Sequence, residues 1–217
     1  MCCLLPRRSA KMWPKFPSIL SALVLSGFLT TTTSMYRNST PWFVNPGYKD
    51  IVMFYNTSQP IWTVLSTDTS NLTCQVDKMY NITFEYVVFE RCYKIYENVS
   101  DFYLLGRFTN WNTQPNRWPD SRRPRYDQMV LRYLGFLFEF GSDILLFYHS
   151  NCGVFKIIRE KGERMWLELR AWNVTVSSIS ALCTTYFYQH QRHKHRTVYT
   201  PQCQHIMKPV FNRSAWS

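Results

Sequence analysis

The sequence predicts an all-β protein: an antiparallel meander of strands closed into a barrel, with a short helix before it and a C-terminal helix packed outside. Three observations carry this prediction. Runs of β-branched and aromatic residues, about 5–12 long, follow one another from Ile61 to Trp172, parted by Asn, Asp, Ser, Gly or Pro clusters. No long helical pattern interrupts them, and parallel strands would need crossover helices, so the strands are expected to meander as hairpins. Several runs are apolar on both faces: Ile82, Phe84, Tyr86 and Val88 share one parity, while Val87 and Phe89 occupy the other. Both faces must then meet apolar surroundings, which a closed barrel with a cavity inside and a helix outside provides.

The chain begins with Arg7, Arg8, Lys11 and Lys15, followed by an uncharged stretch from Phe16 to Ser34 whose core, Ile19 to Leu29, is strongly apolar. A basic segment, a short apolar core and then small residues describe a secretory signal peptide, here residues 1–34. That core is too short for a membrane span, which needs about 20 residues. Thr32 and Ser34 suit the cleavage site, and translation from either Met1 or Met12 retains a sufficient signal. Residues 35–57 form a lead-in, polar from Met35 to Gly47 and fit for a short helix over Tyr48–Tyr55.

Barrel strands, within residues 58–172, are predicted at Ile61–Leu65, Leu72–Lys78, Ile82–Ile95, Phe102–Phe108, Gln128–Leu134, Phe136–Phe140, Ile144–His149, Gly153–Arg159 and Met165–Trp172. Within residues 173–217, Ser177 or Ser178 is a capable N-cap for a helix reaching about Gln189. Its apolar stripe is Ile179, Leu182, Cys183, Tyr186 and Phe187. A polar tail runs from Arg192 to Ser217. The 14 Tyr, 15 Phe and 8 Trp of the full chain suit a lined pocket and equally an ordinary core.

Composition narrows the function. The 217 residues carry 25 Lys and Arg against 14 Asp and Glu, a formal net charge of +11. Four of those basic residues belong to the leader, so cleavage leaves 21 against 14, or +7, on a mature chain of 183 residues. On a secreted protein this charge favours anionic surfaces such as glycosaminoglycans or membranes and says little about nucleic acid, which is not an expected partner. Seven Asn-X-Ser/Thr sequons, at Asn38, Asn56, Asn71, Asn81, Asn98, Asn173 and Asn212, predict a glycosylated surface. Five cysteines remain after cleavage, Cys74, Cys92, Cys152, Cys183 and Cys203, implying two disulfides and one cysteine left over.

Particular segments resemble the tick salivary lipocalins of the histamine-binding protein group. They are Gln59-Pro60-Ile61-Trp62-Thr63-Val64, Leu72-Thr73-Cys74-Gln75-Val76-Asp77, Phe89-Glu90-Arg91, Cys152-Gly153-Val154-Phe155, and Glu168-Leu169 with Cys183 and Cys203. The similarity spans about Pro46 to Cys203, and order and spacing carry it. The resemblance implies an eight-stranded antiparallel up-and-down lipocalin barrel with a helix packed outside, and the disulfides Cys74–Cys183 and Cys152–Cys203, each stabilising by roughly 4 kcal/mol in the chain-entropy model. Cys92 has no family partner and is either a buried small hydrophobe or a bridge between two chains.

The family's amine-capture motif places Asp after the first cysteine and an aromatic after Glu-Leu. Here Gly153 and Arg170 occupy those positions, while Glu168 is retained. Glu168, Trp166 and Arg170 share one parity, so an inward-facing strand would hold an acid, an aromatic and a base together. Such a pocket suits a carboxylate-bearing lipid as well as an amine. Trp62, Phe84 and Tyr86 are further expected lining residues.

The expected function is sequestration of a small host mediator, either a biogenic amine such as histamine or serotonin or a lipid such as a leukotriene, countering host defence at the feeding site. The alternative is a protein-interaction inhibitor of a complement, clotting or platelet factor. Its basic candidates are the run His190, Arg192, His193, Lys194, His195 and Arg196, and the loop Arg117, Arg122, Arg123 and Arg125. These histidines lack a nearby cysteine or carboxylate, so neither a metal nor a cofactor is expected. No nucleophile elbow, phosphate loop or metalloprotease helix is present, which argues against an enzyme. A monomer without a membrane span is expected.

Overall fold

A computed structural model describes residues 49–111, 125–159 and 162–207. The proposed leader, Asn38, Asn212 and Arg117, Arg122 and Arg123 lie outside the described residues. Helix α1 (Ile51–Tyr55) is capped by Asp50, whose carboxylate accepts from the Met53 amide at 3.3 Å. Eight strands follow: β1 (Ile61–Ser66), β2 (Leu72–Ile82), β3 (Tyr86–Ile95), β4 (Asn98–Thr109), β5 (Gln128–Tyr133), β6 (Gly141–His149), β7 (Cys152–Arg159) and β8 (Arg164–Trp172). Each pairs antiparallel with the next, and β1 pairs with both β8 and β2, which closes the barrel. Closure leaves none of the eight with an open edge, the risk every flat sheet carries. A two-residue strand β9 (Arg196–Thr197) adds to β1 at Leu65 and Ser66.

Strand boundaries differ from the expected ones where turn chemistry intervenes. The run Ile82–Ile95 breaks at Thr83, whose side-chain oxygen accepts from the amides of Glu85 and Tyr86 at 3.1 Å. That side chain offers the backbone a local turn in place of the ladder. The run Phe136–Phe140 is not a strand but the loop joining β5 to β6, entered through Gly135 at φ +87°. Helix α2 (Ala181–His190) starts later than expected because Ser180 is its cap, its hydroxyl accepting from the Leu182 amide at 3.3 Å.

The doubly apolar strands are explained by packing on both sides of the wall. Inside, Val87, Phe89, Leu104, Met129, Leu131, Leu145, Phe155 and Ile157 form one buried cluster with Ile51, Phe54 and Tyr55 of α1, which closes one end. Outside, Cys183 and Phe187 of α2 cover Leu65, Cys152, Val154, Leu169 and Ala171. The C-terminal 3-10 turn Pro201–Met207 brings Cys203 over Trp62, Cys74, Val76 and Cys92.

The four expected cysteines are bonded, but not in the pairing the resemblance implied: the bridges are Cys74–Cys203 and Cys152–Cys183. The reason is position on the wall. Cys152 opens β7 beneath α2 and faces Cys183, whereas Cys74 on β2 lies beneath the tail and faces Cys203. Cys92 is buried and forms no disulfide.

Candidate functional site

Alternation along β8 points Trp166, Glu168 and Arg170 into the barrel and Leu167, Leu169 and Ala171 outward beneath α2. Arg170, 1% exposed, donates from Nε and Nη2 to Glu168 Oε2 at 2.8 and 2.6 Å and from Nη1 to the Tyr55 hydroxyl at 2.6 Å. Its guanidinium lies over the Phe155 ring, 4.7 Å from the centroid. Glu168 Oε1 accepts from Trp166 Nε1 at 2.9 Å. Its Oε2 accepts from Thr63 and Gln75, each at 3.4 Å.

This pair belongs to a larger network. Arg91 on β3 holds Asp77, its register partner on β2, through two 2.7 Å bonds. Asp143 on β6, fully buried, receives Arg159 at 2.7 Å on Oδ1, with Arg170 at 2.8 Å and Arg91 at 3.6 Å from Oδ2. The Oδ2 contacts are ion pairs without hydrogen-bond angles. Three carboxylates and three guanidiniums therefore balance inside one barrel, sparing each the cost of an uncompensated buried charge.

Burial alone would raise the acids' pKa values, and it is the largest single influence on Asp143 and Glu168. The arginines overcome it: Arg159, Arg170 and Arg91 hold Asp143 well below the usual carboxylate range, and Arg170 and Arg91 hold Glu168 below it. Burial pushes the Tyr55 phenol upward, so it stays protonated beside Arg170.

Above this network the interior turns aromatic. Arg159 sits 5.5 and 5.7 Å from the ring centroids of Phe140 and Trp166. Tyr133 stacks on Phe140 at 4.8 Å and meets Phe102 edge-on at 5.4 Å, and Phe102 meets Tyr93 at 5.6 Å. Arg159 is the most accessible of the six ions, its side chain 14% exposed. It thus places a cation at the border between the charged floor and the aromatic upper wall.

Trp62, Phe84 and Tyr86 are not part of this interior. Trp62 lies on the outer face of β1 against Tyr199, its Nε1 donating to Asn173 Oδ1 at 2.8 Å. Phe84 is exposed in the β2–β3 turn, and the inward residues of β3 are Val87, Phe89 and Arg91, which puts Tyr86 on the outer parity. The strand break at Thr83 reverses the expected lining. Sequence reasoning also missed Asp77, Arg91, Asp143 and Arg159. Their only signal is a charge inside an apolar run, which does not reveal the strand that answers it.

Gly153, which stands at the amine motif's Asp position, is inward and opposite Arg170. A Cβ there would lie 2.9 Å from the Phe155 ring and 3.2 Å from both Leu145 and Phe54. The interior is therefore already filled at this point, and an aspartate side chain would overpack it. Elsewhere, Asn56, Asn71, Asn81 and Asn98 are exposed, whereas Asn173 is half-buried and accepts from Trp62 and Gln204. The basic run divides: Arg196 turns back to Asp68 at 2.7 Å, His190 stacks on Tyr186, His195 meets Phe187 and Tyr188, and Arg192, His193 and Lys194 face solvent.

An eight-stranded closed meander with a short helix at one end and a longer one outside is the lipocalin architecture. No family model matches the chain, and no curated protein matches it. Among solved structures it is similar to Japanin from Rhipicephalus appendiculatus bound to cholesterol, at 12% identity and a TM-score of 0.48, covering 73% of this chain and 100% of that one. It is also similar to the siderocalin Ex-FABP, described as functioning through dual ligand specificities, at 6% identity and a TM-score of 0.42, covering 61% of this chain and 78% of that one. At these levels neither likeness carries an argument about ligand, and the fold stands on the strand pairing itself. Among the described residues, no helix is long and apolar enough to cross a membrane.

Proposed function

We propose that this chain is a secreted lipocalin that sequesters a small host mediator, in keeping with its resemblance to tick salivary proteins, and that the mediator is a lipid with an anionic head. The observation carrying this reading is Arg159, at the border of the buried network and ringed by Phe140 and Trp166. An apolar body would lie against the upper aromatic wall while a carboxylate met the guanidinium, the planar donor suited to it. An amine is less well served. Asp77, Asp143 and Glu168 are at most 5% exposed and the position that would supply another carboxylate is filled by Phe155, Leu145 and Phe54, whereas Arg159, although paired with Asp143 at 2.7 Å, keeps 14% of its side chain exposed.

Titration of the folded protein with leukotriene, histamine and serotonin, followed by calorimetry and tryptophan fluorescence, tests the reading. Stoichiometric binding of leukotriene, weakened at least tenfold by Arg159→Met, is the expected result. Saturable binding of the amines alone, or of none of the three, would overturn it.

A further inference from the structure

The loop between β5 and β6 is the most apolar exposed segment among the described residues. Leu134, Phe136, Leu137 and Phe138 are 46%, 55%, 90% and 66% exposed. At roughly 200 Å² for a large apolar side chain, these fractions leave on the order of 500 Å² of apolar surface on one hairpin tip. A patch of that size on a monomer is often functional. It falls short of the roughly 800 Å² per partner that a standard protein interface buries.

The tip is held in place. The amides of Leu134, Phe136 and Phe140 donate to the carbonyls of Tyr103, Tyr133 and Leu131 at 2.9, 3.0 and 3.0 Å. Phe136 packs edge-on against Tyr133 and Phe138. The one charge within the loop, Glu139, is neutralised by Arg107 at 2.9 Å. Beside the tip, Tyr80 and Tyr103 expose their rings to solvent, 5.6 Å apart. Apolar side chains on a loop with exposed tyrosines beside it suit a bilayer surface, where tyrosine sits at headgroup level. The neutral ion pair fits an uncharged headgroup layer.

We propose that this hairpin tip docks the protein on a phosphatidylcholine membrane surface by inserting Phe136, Leu137 and Phe138. The proposal is independent of what the barrel holds. Flotation of the full chain with phosphatidylcholine vesicles, at about 0.1 and 1 M salt to separate apolar insertion from charge adsorption, is the test. Co-flotation at both salts is expected, with at least a tenfold lower partition for the triple variant Phe136→Ser, Leu137→Ser, Phe138→Ser, whose circular dichroism should match the parent. Absence of flotation, equal flotation of the variant, or loss of flotation at high salt overturns it. So does sedimentation showing a parent dimer that the triple variant dissolves. No barrel ligand enters the measurement, so its failure leaves the lipid-sequestration reading standing.

Discussion

Replacing Arg170 by methionine tests the buried network directly. The guanidinium donates twice to Glu168, is one of three cations around Asp143, and donates to the Tyr55 hydroxyl. Methionine keeps much of the volume over Phe155 but leaves Glu168, 4% exposed, without its cation. Removing one member of a buried ion pair costs about 3–5 kcal/mol, because the remaining charge stays desolvated. For a domain of this size that corresponds to a fall in Tm on the order of 10 °C. Asp143 should suffer less, since Arg159 remains at 2.7 Å.

The pH dependence has a definite sign. In the parent, Glu168 is held low, so its contribution is present above the unfolded carboxylate pKa and lost as pH falls through the lower folded value. In Arg170→Met, burial dominates and raises Glu168 above its unfolded value, so the variant should gain stability on acidification from pH 7 toward about 4. Adding Glu168→Met should recover much of the loss, as matched apolar replacements of buried pairs often do. Urea denaturation of the oxidised proteins across this pH range measures all three effects. A cost below about 1 kcal/mol, or no recovery in the double variant, would refute a network that is both buried and mutually dependent.

Further outcomes follow from other contacts. Gly153→Asp should lower stability by about 1–3 kcal/mol or more through overpacking and gain no histamine affinity in calorimetry. A tenfold gain would mean that the contacts with Phe155, Leu145 and Phe54 are wrong. Mapping of non-reduced peptides should give Cys74–Cys203 and Cys152–Cys183, unchanged by Cys92→Ser. Removing the first bridge, which spans 129 residues, should cost about 5 kcal/mol against about 4 kcal/mol for the second, which spans 31, measured by denaturant midpoints. Glu90 behaves oppositely to Glu168. Burial and the neighbouring Asp101 push it up, against the Tyr80 hydroxyl that donates to it. Its contribution is therefore present below the unfolded carboxylate pKa and lost as pH rises through the folded value. Glu90→Gln should flatten that slope in a pH series of melting temperatures.

Strand spacing, the absence of crossover helices and apolar residues on both parities were enough to specify a closed antiparallel barrel with an outer helix. Those signals are local, recurring within a few residues of one another. That Trp166, Glu168 and Arg170 share one face was legible for the same reason, since alternate residues on one strand do so whatever lies opposite; that this face points inward was decided by the tertiary structure. The partners of that triad were not legible. Asp143, Arg91, Asp77 and Tyr55 come from four other elements, and only register decides which charges meet. The same holds for the disulfides: the four cysteines were identifiable, but which sulfur faces which depends on whether α2 or the tail covers that part of the wall. Phe84 and Tyr86 mark the limit most clearly. One hydroxyl, Thr83, turned the backbone where alternation expected a continuous strand, and a change of parity moves a side chain from the interior to the surface.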